Sequence, residues 1–274
     1  MLGFIATFKC LLLGSCLVVS QGANNVASLS APVDLELVLA VDISGSMGGA
    51  KLHMQREGYE RAFRDDGFMQ AVKSGPTGRV AVVYLEWAGA GYQNVLVPWT
   101  LIERQEDATR FASALAAQTV TRPPPELAGT SVSGGLIAAL RLFNDASAAA
   151  ARRVVDISGD GANNSGPPIV PVREALVARG ITINGLPIEM EEEGHPFNYW
   201  GPAPEPLKAY FDNCVIGGPD SFSFVVSKSV QFDAVLRRKL LREIVASYAH
   251  VVPVSAHVTQ GGFDCSALGE RPGR

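Results

Sequence analysis

The sequence has no basic block of the kind that binds nucleic acid or an anionic membrane surface. Its 274 residues include 23 Lys and Arg and 27 Asp and Glu, which leaves a net charge of -4. Nucleic-acid-binding domains and membrane-surface segments carry clustered Lys and Arg side chains, because they must neutralise phosphate groups. We therefore expect neither nucleic acid nor a membrane surface among the partners of this chain.

Internal repeats, heptad arrays and low-complexity tracts are also absent from the sequence. The chain is 47% hydrophobic and 18% charged. A chain of this length and composition can bury a sizeable core, which favours one compact α/β domain over a disordered tail.

No transmembrane span is predicted in the mature chain, because the apolar segment near the start of the sequence is short. Residues 10–19 are mostly apolar, whereas a membrane-spanning helix needs about 20 such residues. This segment follows Phe8-Lys9 and precedes Ser20-Gln21-Gly22-Ala23, an order that resembles a secretory signal peptide. We predict a signal peptide at residues 1–23, a linker at residues 24–32, and export of the mature chain to the periplasm or the medium.

Two alternatives to a cleaved signal peptide remain open. The segment could stay attached as an anchor helix, or Leu13-Gly14-Ser15-Cys16 could act as a bacterial lipobox and attach a lipid to Cys16. Apolar residues continue past Cys16, which favours the signal peptide over the lipid anchor.

Cysteine is scarce, with 4 residues in the whole sequence. Cys10 and Cys16 lie in the predicted signal peptide, which leaves Cys214 and Cys265 in the mature chain. Two thiols in an oxidising compartment favour a disulfide, here one that would tie the C-terminal tail to the body of the domain. The alternative is a pair of free, buried cysteines.

Strand and helix patterns alternate along the rest of the sequence. Near-continuous apolar runs that end in polar turns predict parallel strands covered on both faces, and segments with helical spacing follow them. A short Gly-rich link after the second strand predicts an antiparallel hairpin, and Pro98 places its second strand at a sheet edge. We predict strands at 33–42, 79–87, 95–99, 153–158, 181–188 and 223–226, and helices after residue 48 and at 103–118, 132–143, 170–179 and 232–245.

This alternation predicts a doubly wound, mainly parallel α/β sheet with helices on both faces and one antiparallel edge strand. The predicted domain spans residues 33–250. Residues 189–206 form an acidic, Pro- and Gly-rich insertion with no clear periodicity, and residues 251–274 form a C-terminal tail.

Three predicted turns carry hard oxygen donors and would meet at one end of this sheet. The donors are Asp42, Ser44 and Ser46 after the first strand, Thr130 before the mid-chain helix, and Asp160 after a later strand. Donors two residues apart can point to the same side of a turn, and Gly45 permits a tight bend. A site made of carboxylates and hydroxyls favours Mg²⁺, Mn²⁺ or Ca²⁺ over zinc, which prefers imidazole and thiolate.

These motifs resemble the metal-ion-dependent adhesion site of von Willebrand factor type A domains. The resemblance rests on Asp42-Ile43-Ser44-Gly45-Ser46, Thr130 and Ser158-Gly159-Asp160-Gly161, which occur in the order of that family. It implies a von Willebrand A fold in which these two serines, the threonine and the two aspartates bind or position a divalent metal ion, directly or through water. The chain also resembles an uncharacterised branch of exported bacterial proteins of this class. Ser158 departs from the threonine that often stands there, and the insertion at 189–206 is not part of the common core.

The resemblance and the donor set together predict an exported, metal-dependent binding module rather than an enzyme. A metal ion held by few formal charges can take an acidic side chain of a protein partner as a further ligand. The first alternative is a metal-dependent hydrolase that acts on a phosphoryl or carboxyl substrate, although no histidine lies in the three loops and no general base or nucleophile is evident. The others are a purely structural role, and two aspartates that only cap turns and bind no metal.

Overall fold

The computed structural model describes residues 32–146, 149–190, 206–245 and 263–266. The predicted signal peptide at 1–23, almost all of the linker, and most of the insertion at 189–206 and of the tail at 251–274 lie outside the described residues. The predictions for those segments stay predictions.

A five-stranded sheet forms the centre of the domain, in the order β3-β2-β1-β4-β5. Its strands are β1 Val33–Asp42, β2 Val80–Trp87, β3 Gln93–Ile102, β4 Ala150–Gly159 and β5 Ile181–Pro187. Strand β1 runs parallel to β2 and β4, and β4 runs parallel to β5. Strand β3 pairs antiparallel with β2 at the edge that Pro98 predicts. The predicted mainly parallel sheet with one antiparallel edge strand is thus confirmed.

Helices cover both faces of this sheet, as the doubly wound prediction requires. All ten residues of β1 are buried, and successive side chains point to opposite faces. Leu37 and Leu39 share a core cluster with side chains of α1, α2, α3 and α7, whereas Val38 and Ala40 share one with side chains of α4, α5 and α6. The helices are α1 Gly49–Arg64, α2 Asp66–Lys73, α3 Gln105–Ala116, α4 Val132–Asp145, α5 Ile169–Val177, α6 Leu207–Tyr210 and α7 Phe232–Val245. In the described part of the chain, no helix is long and apolar enough to cross a membrane.

The strand predicted at 223–226 forms only isolated bridges beside β5, which corrects that prediction. Ser223 pairs with Gly185 and Val226 pairs with Ile188, both in parallel. Pro187 lies between these bridges and has no N–H to donate to the neighbouring segment, so the ladder is interrupted there.

Cys214 and Cys265 form a disulfide, as predicted, with their Cα atoms 5.7 Å apart. Cys214 is buried in the π-turn Phe211–Val215 that follows α6. Phe263 and Cys265 pack against the same core cluster as the side chains of α5 and α6. The bond therefore attaches residues 263–266 to the body of the domain, and the alternative of two free cysteines is wrong.

Candidate metal centre

Strands β1 and β4 end side by side, which brings their two turns together. Val41 pairs with Ser158 in the parallel register, so the residues that follow each strand meet at the same edge of the sheet. Oδ1 of Asp42 accepts the backbone N–H of Ser44 at 2.6 Å, and Oδ2 accepts the backbone N–H of Asp160 at 3.4 Å. The fully buried Asp42 carboxylate therefore joins the two turns.

The two serine hydroxyls connect the first turn to the second carboxylate. The Oγ atoms of Ser44 and Ser46 lie 3.1 Å apart, and the Ser46 hydroxyl donates to Oδ1 of Asp160 at 2.5 Å. The turn is held by the backbone N–H of Gly45, which donates to the carbonyl of Ala128 at 2.8 Å. A Cβ at residue 45 would lie 3.2 Å from that carbonyl oxygen, so the close approach favours glycine. Gly45 and Ser46 are exposed, which leaves this edge of the site open to solvent.

Thr130 is held beside the second turn by its backbone. Its N–H donates to Oδ1 of Asn164, and its carbonyl accepts the N–H of Asn164, both at 2.8 Å. A Cβ at Gly161 would lie 3.6 Å from both the hydroxyl oxygen and the methyl carbon of Thr130, so the Thr130 side chain lies against the backbone next to Asp160. The structure therefore brings all five predicted donors to one edge of the sheet.

The electrostatics of the two aspartates favour a cation. Burial raises the pKa of Asp42 to about 8, and the nearby Asp160 carboxylate adds to this effect, while hydrogen bonds from Ser44 and from the Asp160 backbone oppose it. A positive charge between the two carboxylates would stabilise their ionised forms. The pair is therefore more readily ionised with a cation beside it than without one.

The donor chemistry fits a hard divalent cation. The five side chains offer two carboxylates and three hydroxyls, which are ligands suited to Mg²⁺, Mn²⁺ or Ca²⁺. Across the described ranges, no group of three or more His, Cys, Asp and Glu side chains is placed to hold a metal ion. A centre of the imidazole, thiolate or multi-carboxylate type is thus not formed by those residues.

Lys51 is a member of this site that the sequence reasoning missed. Its Nζ donates to Oδ2 of Asp160 at 3.0 Å, and the two side chains are only 7% and 2% exposed. Lys51 lies in the first turn of α1, which contains no acidic residue. A lysine is electrostatically unfavourable near a helix N-terminus, so its position at the start of the helix that follows Asp42 and the serine turn is a signal that could have identified it.

Gln55 is a second missed residue, one helical turn further along α1. Its Nε2 donates to the carbonyl oxygen of Asp42 at 3.0 Å, and its Oε1 accepts the hydroxyl of Ser158 at 2.8 Å. Gln55 therefore ties the end of β1 to the end of β4. Ser158, where the resemblance leads one to expect threonine, keeps its hydroxyl in use through this contact.

Comparison with known protein families finds one match over most of the chain. Residues 32–248 match the model of a family described as "Protein of unknown function (DUF1194)". A comparison with curated proteins finds no match.

Solved structures with a similar fold include a matrix protein of the mussel byssus and a pilus adhesin. Proximal thread matrix protein 1 from the mussel byssus is 13% identical, with a TM-score of 0.55 over 78% of this chain and 49% of its own. The pilus adhesin SpaC from Lactobacillus rhamnosus GG is 15% identical, with a TM-score of 0.54 over 78% of this chain and 31% of its own. A von Willebrand factor type A protein from Catenulispora acidiphila is 16% identical, with a TM-score of 0.49 over 78% of this chain and 43% of its own.

These similarities concern the fold alone, which is the predicted von Willebrand A fold. The chain spans half or less of the length of each of these proteins.

Proposed function

We propose that this chain, which belongs to the DUF1194 family of proteins of unknown function, is an exported module that binds a divalent metal ion and, through it, a protein partner. The contact between the turns after β1 and β4 carries the proposal. Asp42 and Asp160 are 118 residues apart in sequence and meet in a buried site with two serine hydroxyls. Buried carboxylates in proteins are paired with positive charge or coordinate metals, because an uncompensated buried charge is costly.

Each of the five donors has a role in this proposal. The residues that would hold the ion, directly or through water, are Asp42, Ser44, Ser46, Thr130 and Asp160. When bound, the ion supplies a Lewis-acidic position that accepts a carboxylate of the partner. The exposed edge at Gly45 and Ser46 is where that carboxylate would approach. We expect Mg²⁺, with Mn²⁺ and Ca²⁺ as substitutes, because all five donors are oxygen atoms.

The known relatives of this fold support a role in adhesion. One of these proteins is a pilus adhesin, and another is a matrix protein of the mussel byssus. We infer that this chain recognises a protein through the metal edge of the sheet. An acidic side chain is the expected contact, because a metal ion with few charged protein ligands attracts a further anionic ligand.

Metal titration tests the first half of the proposal. Isothermal titration calorimetry of the purified chain with Mg²⁺, Mn²⁺ and Ca²⁺ should show one binding site, and Asp42→Ala should abolish it. Asp34→Asn is the matched control, since Asp34 is a buried aspartate at the opposite end of β1 that accepts backbone N–H groups of Thr77 and Arg79. No heat at millimolar metal in the parent protein would contradict the proposal.

Peptide selection tests the second half. A displayed random-peptide library is bound to the immobilised chain in Mg²⁺ and eluted with EDTA, and the selected peptides are resynthesised with each Asp or Glu replaced by its amide. Binding should be lost in EDTA, with one of these amide replacements, and with Asp42→Ala. Peptides that bind equally well in all three conditions would contradict the mechanism. Turnover of phosphoesters with Mn²⁺ that disappears in Asp160→Ala would instead indicate the hydrolase.

Export is tested separately from binding. A signal peptide at residues 1–23 predicts that the protein recovered from the periplasm or the medium begins near residue 24. N-terminal sequencing of that protein checks the cleavage, and mass spectrometry distinguishes it from an acylated Cys16. Recovery of the intact chain in the cytoplasm would contradict export.

A further inference from the structure

The Lys51 ammonium already places a positive charge beside Asp160, one of the two carboxylates that would bind a metal ion. This ammonium group pairs with Oδ2 of Asp160, while the other oxygen of this carboxylate accepts the Ser46 hydroxyl. Both oxygens of Asp160 are therefore engaged before any ion binds. Oδ1 of Asp42 accepts a backbone N–H instead, so the lysine compensates one carboxylate and not the other.

We propose that Lys51 is an internal counterion that weakens metal binding and selects for an anionic partner once the metal is bound. This proposal rests on the proposed function of the site. With a divalent cation bound and both aspartates ionised, the Lys51 ammonium leaves the site with one net positive charge, whereas the same site without that ammonium would be neutral.

Two consequences of opposite sign follow from this charge balance. The buried ammonium beside Asp160 repels an incoming cation, because charges interact strongly where little water screens them, so its removal strengthens metal binding. The same ammonium makes the metal-loaded site attract an anion, so its removal weakens the binding of a carboxylate. Damage to the fold would weaken both kinds of binding, and only a counterion role predicts that they change in opposite directions.

The burial of this lysine supports a specific role. Lys51 extends from the first turn of α1 and its side chain is 7% exposed. Its position at the helix N-terminus is unfavourable by itself, because that end of the helix dipole is positive. The Asp160 carboxylate offsets this cost only as long as the ion pair is intact. A metal ion that draws Asp160 towards itself therefore competes with Lys51 for the same carboxylate.

The experiment compares Lys51→Met with the parent chain and with two controls. Lys51→Arg keeps the positive charge, and Lys73→Met removes an exposed lysine at the end of α2. Mn²⁺ binding is measured by calorimetry and by electron paramagnetic resonance. Acetate is then titrated into each Mn²⁺-loaded protein, and the loss of water-proton relaxation enhancement reports the displacement of bound water by the carboxylate.

We expect Lys51→Met to lower the Kd for Mn²⁺ about tenfold and to raise the Kd for acetate by a similar factor, equal to about 1.4 kcal/mol each. Lys51→Arg and Lys73→Met should stay within about twofold of the parent, a difference of about 0.4 kcal/mol. If Lys51→Met does not fold, Lys51→Gln removes the charge and keeps a hydrogen-bond donor for Asp160. Metal binding in either neutral variant that is equal to or weaker than in the parent would overturn the proposal.

The outcomes also separate this inference from the proposed function. Metal binding that is equal in the parent and in the neutral variants would refute the role of Lys51 and leave the metal site intact. Metal binding only in the neutral variants would support the role of Lys51, and it would show that the parent chain is not a metal-dependent module. Absence of metal binding in every protein would contradict both.

Discussion

Two buried clusters of this domain contain the same charged groups and differ in how the lysine is placed. The metal-site cluster holds two aspartates, Asp42 and Asp160, with Lys51, and the α7 cluster holds Asp156 and Glu243 with Lys239. In the α7 cluster, Lys239 contacts both carboxylates, with Glu243 at 2.5 Å, and the three side chains are 1% exposed or less. In the metal-site cluster, Lys51 pairs with Asp160 alone.

Neighbouring polar groups strengthen this difference. In the α7 cluster, the hydroxyl of Tyr59 donates to Asp156 and the side-chain amide of Asn184 donates to Glu243, both at 3.2 Å. In the metal-site cluster, the neighbours are the hydroxyl of Ser44, which is buried, and the hydroxyl of Ser46, which is exposed. A lysine that bridges two carboxylates inside a core makes a structural cluster. A lysine that pairs with one of two carboxylates at an open edge leaves room for a second cation.

The largest expected difference concerns the two lysines. Lys239→Met should lower the free energy of unfolding by about 3–5 kcal/mol, because it leaves the buried Asp156 and Glu243 without their cation. Lys51→Met should cost about 1–3 kcal/mol in the absence of metal, and added Mg²⁺ should restore the loss. Urea unfolding with and without Mg²⁺ checks both values. Equal losses that Mg²⁺ does not relieve would show that both clusters are structural.

The next difference concerns aspartates of the two clusters. At a metal concentration of 100 times Kd, the free energy of unfolding of the parent should rise by about 2.7 kcal/mol, since the ion binds only the folded state. Asp160→Asn should remove this gain. Asp156→Asn should lower stability but keep the gain, because Asp156 belongs to the α7 cluster. Thermal and urea unfolding measure the effect, and a lost metal response in Asp156→Asn would mean that the clusters are coupled.

A smaller difference concerns the hydroxyl groups that contact each cluster. Tyr59→Phe should cost about 1–2 kcal/mol, because Asp156 loses a buried hydrogen bond. Ser46→Ala, on the exposed turn, should change the stability of the metal-free protein by no more than about 0.5 kcal/mol and weaken metal binding instead. Urea unfolding and metal titration of both variants check this. A large stability loss in Ser46→Ala would place this serine among the structural residues.

The last expected difference is in the pH dependence of stability, and it is small within any one pH unit. Burial raises the pKa of Glu243 to about 8, with Asp156 adding to the shift and Lys239 and Asn184 opposing it. The folded state therefore binds a proton that the unfolded state releases above its ordinary value of about 4.5. This contribution is complete below about pH 4.5 and is lost as the pH rises towards 8.

Glu243→Gln should remove this part of the pH dependence. The variant should reduce the slope of the unfolding free energy against pH by at most about 1.4 kcal/mol per pH unit, the value for one proton. Lys239, whose pKa is raised, and Tyr59, whose pKa is also raised, keep their charge states in this range. Urea unfolding of parent and variant between pH 5 and 8 isolates Glu243, because Asp42 contributes equally to both. If the unfolding free energies of the parent and the variant change in parallel with pH, Glu243 is ionised throughout this range.

Local sequence patterns were sufficient to predict the main strands and helices and to select the five oxygen donors. The apolar run before Asp42 and the hydroxyls two residues apart after it belong to one short segment, so their arrangement depends little on the rest of the chain. Asp160 could be added because strands that run parallel end at the same edge of a sheet, and Thr130 because it precedes a helix that begins at that edge. The position of β3 at the sheet edge was predicted from Pro98, because proline has no N–H to donate to a further strand.

Other features depended on contacts that no short segment contains. The interrupted pairing beside β5 arises because Pro187 happens to face the segment at 223–226, and the apolar pattern of that segment predicts a strand regardless. The pairing of Lys51 with Asp160 joins residues 109 positions apart. Periodicity indicates which face of a helix is apolar, but it does not indicate which carboxylate a buried lysine will meet.

The sequence alone determined the order along the chain of the five strands of the sheet and predicted the disulfide partners and the set of oxygen donors, because apolar periodicity, cysteine number and turn chemistry are local or countable properties. The tertiary structure decided which of two similar charged clusters stays open to a cation. That difference depends on the distance between each lysine and both of its carboxylates, and on how far Ser46 and Lys239 are exposed to water. Packing of α1 and α7 against the sheet sets those distances and exposures, and it is a property of the whole fold.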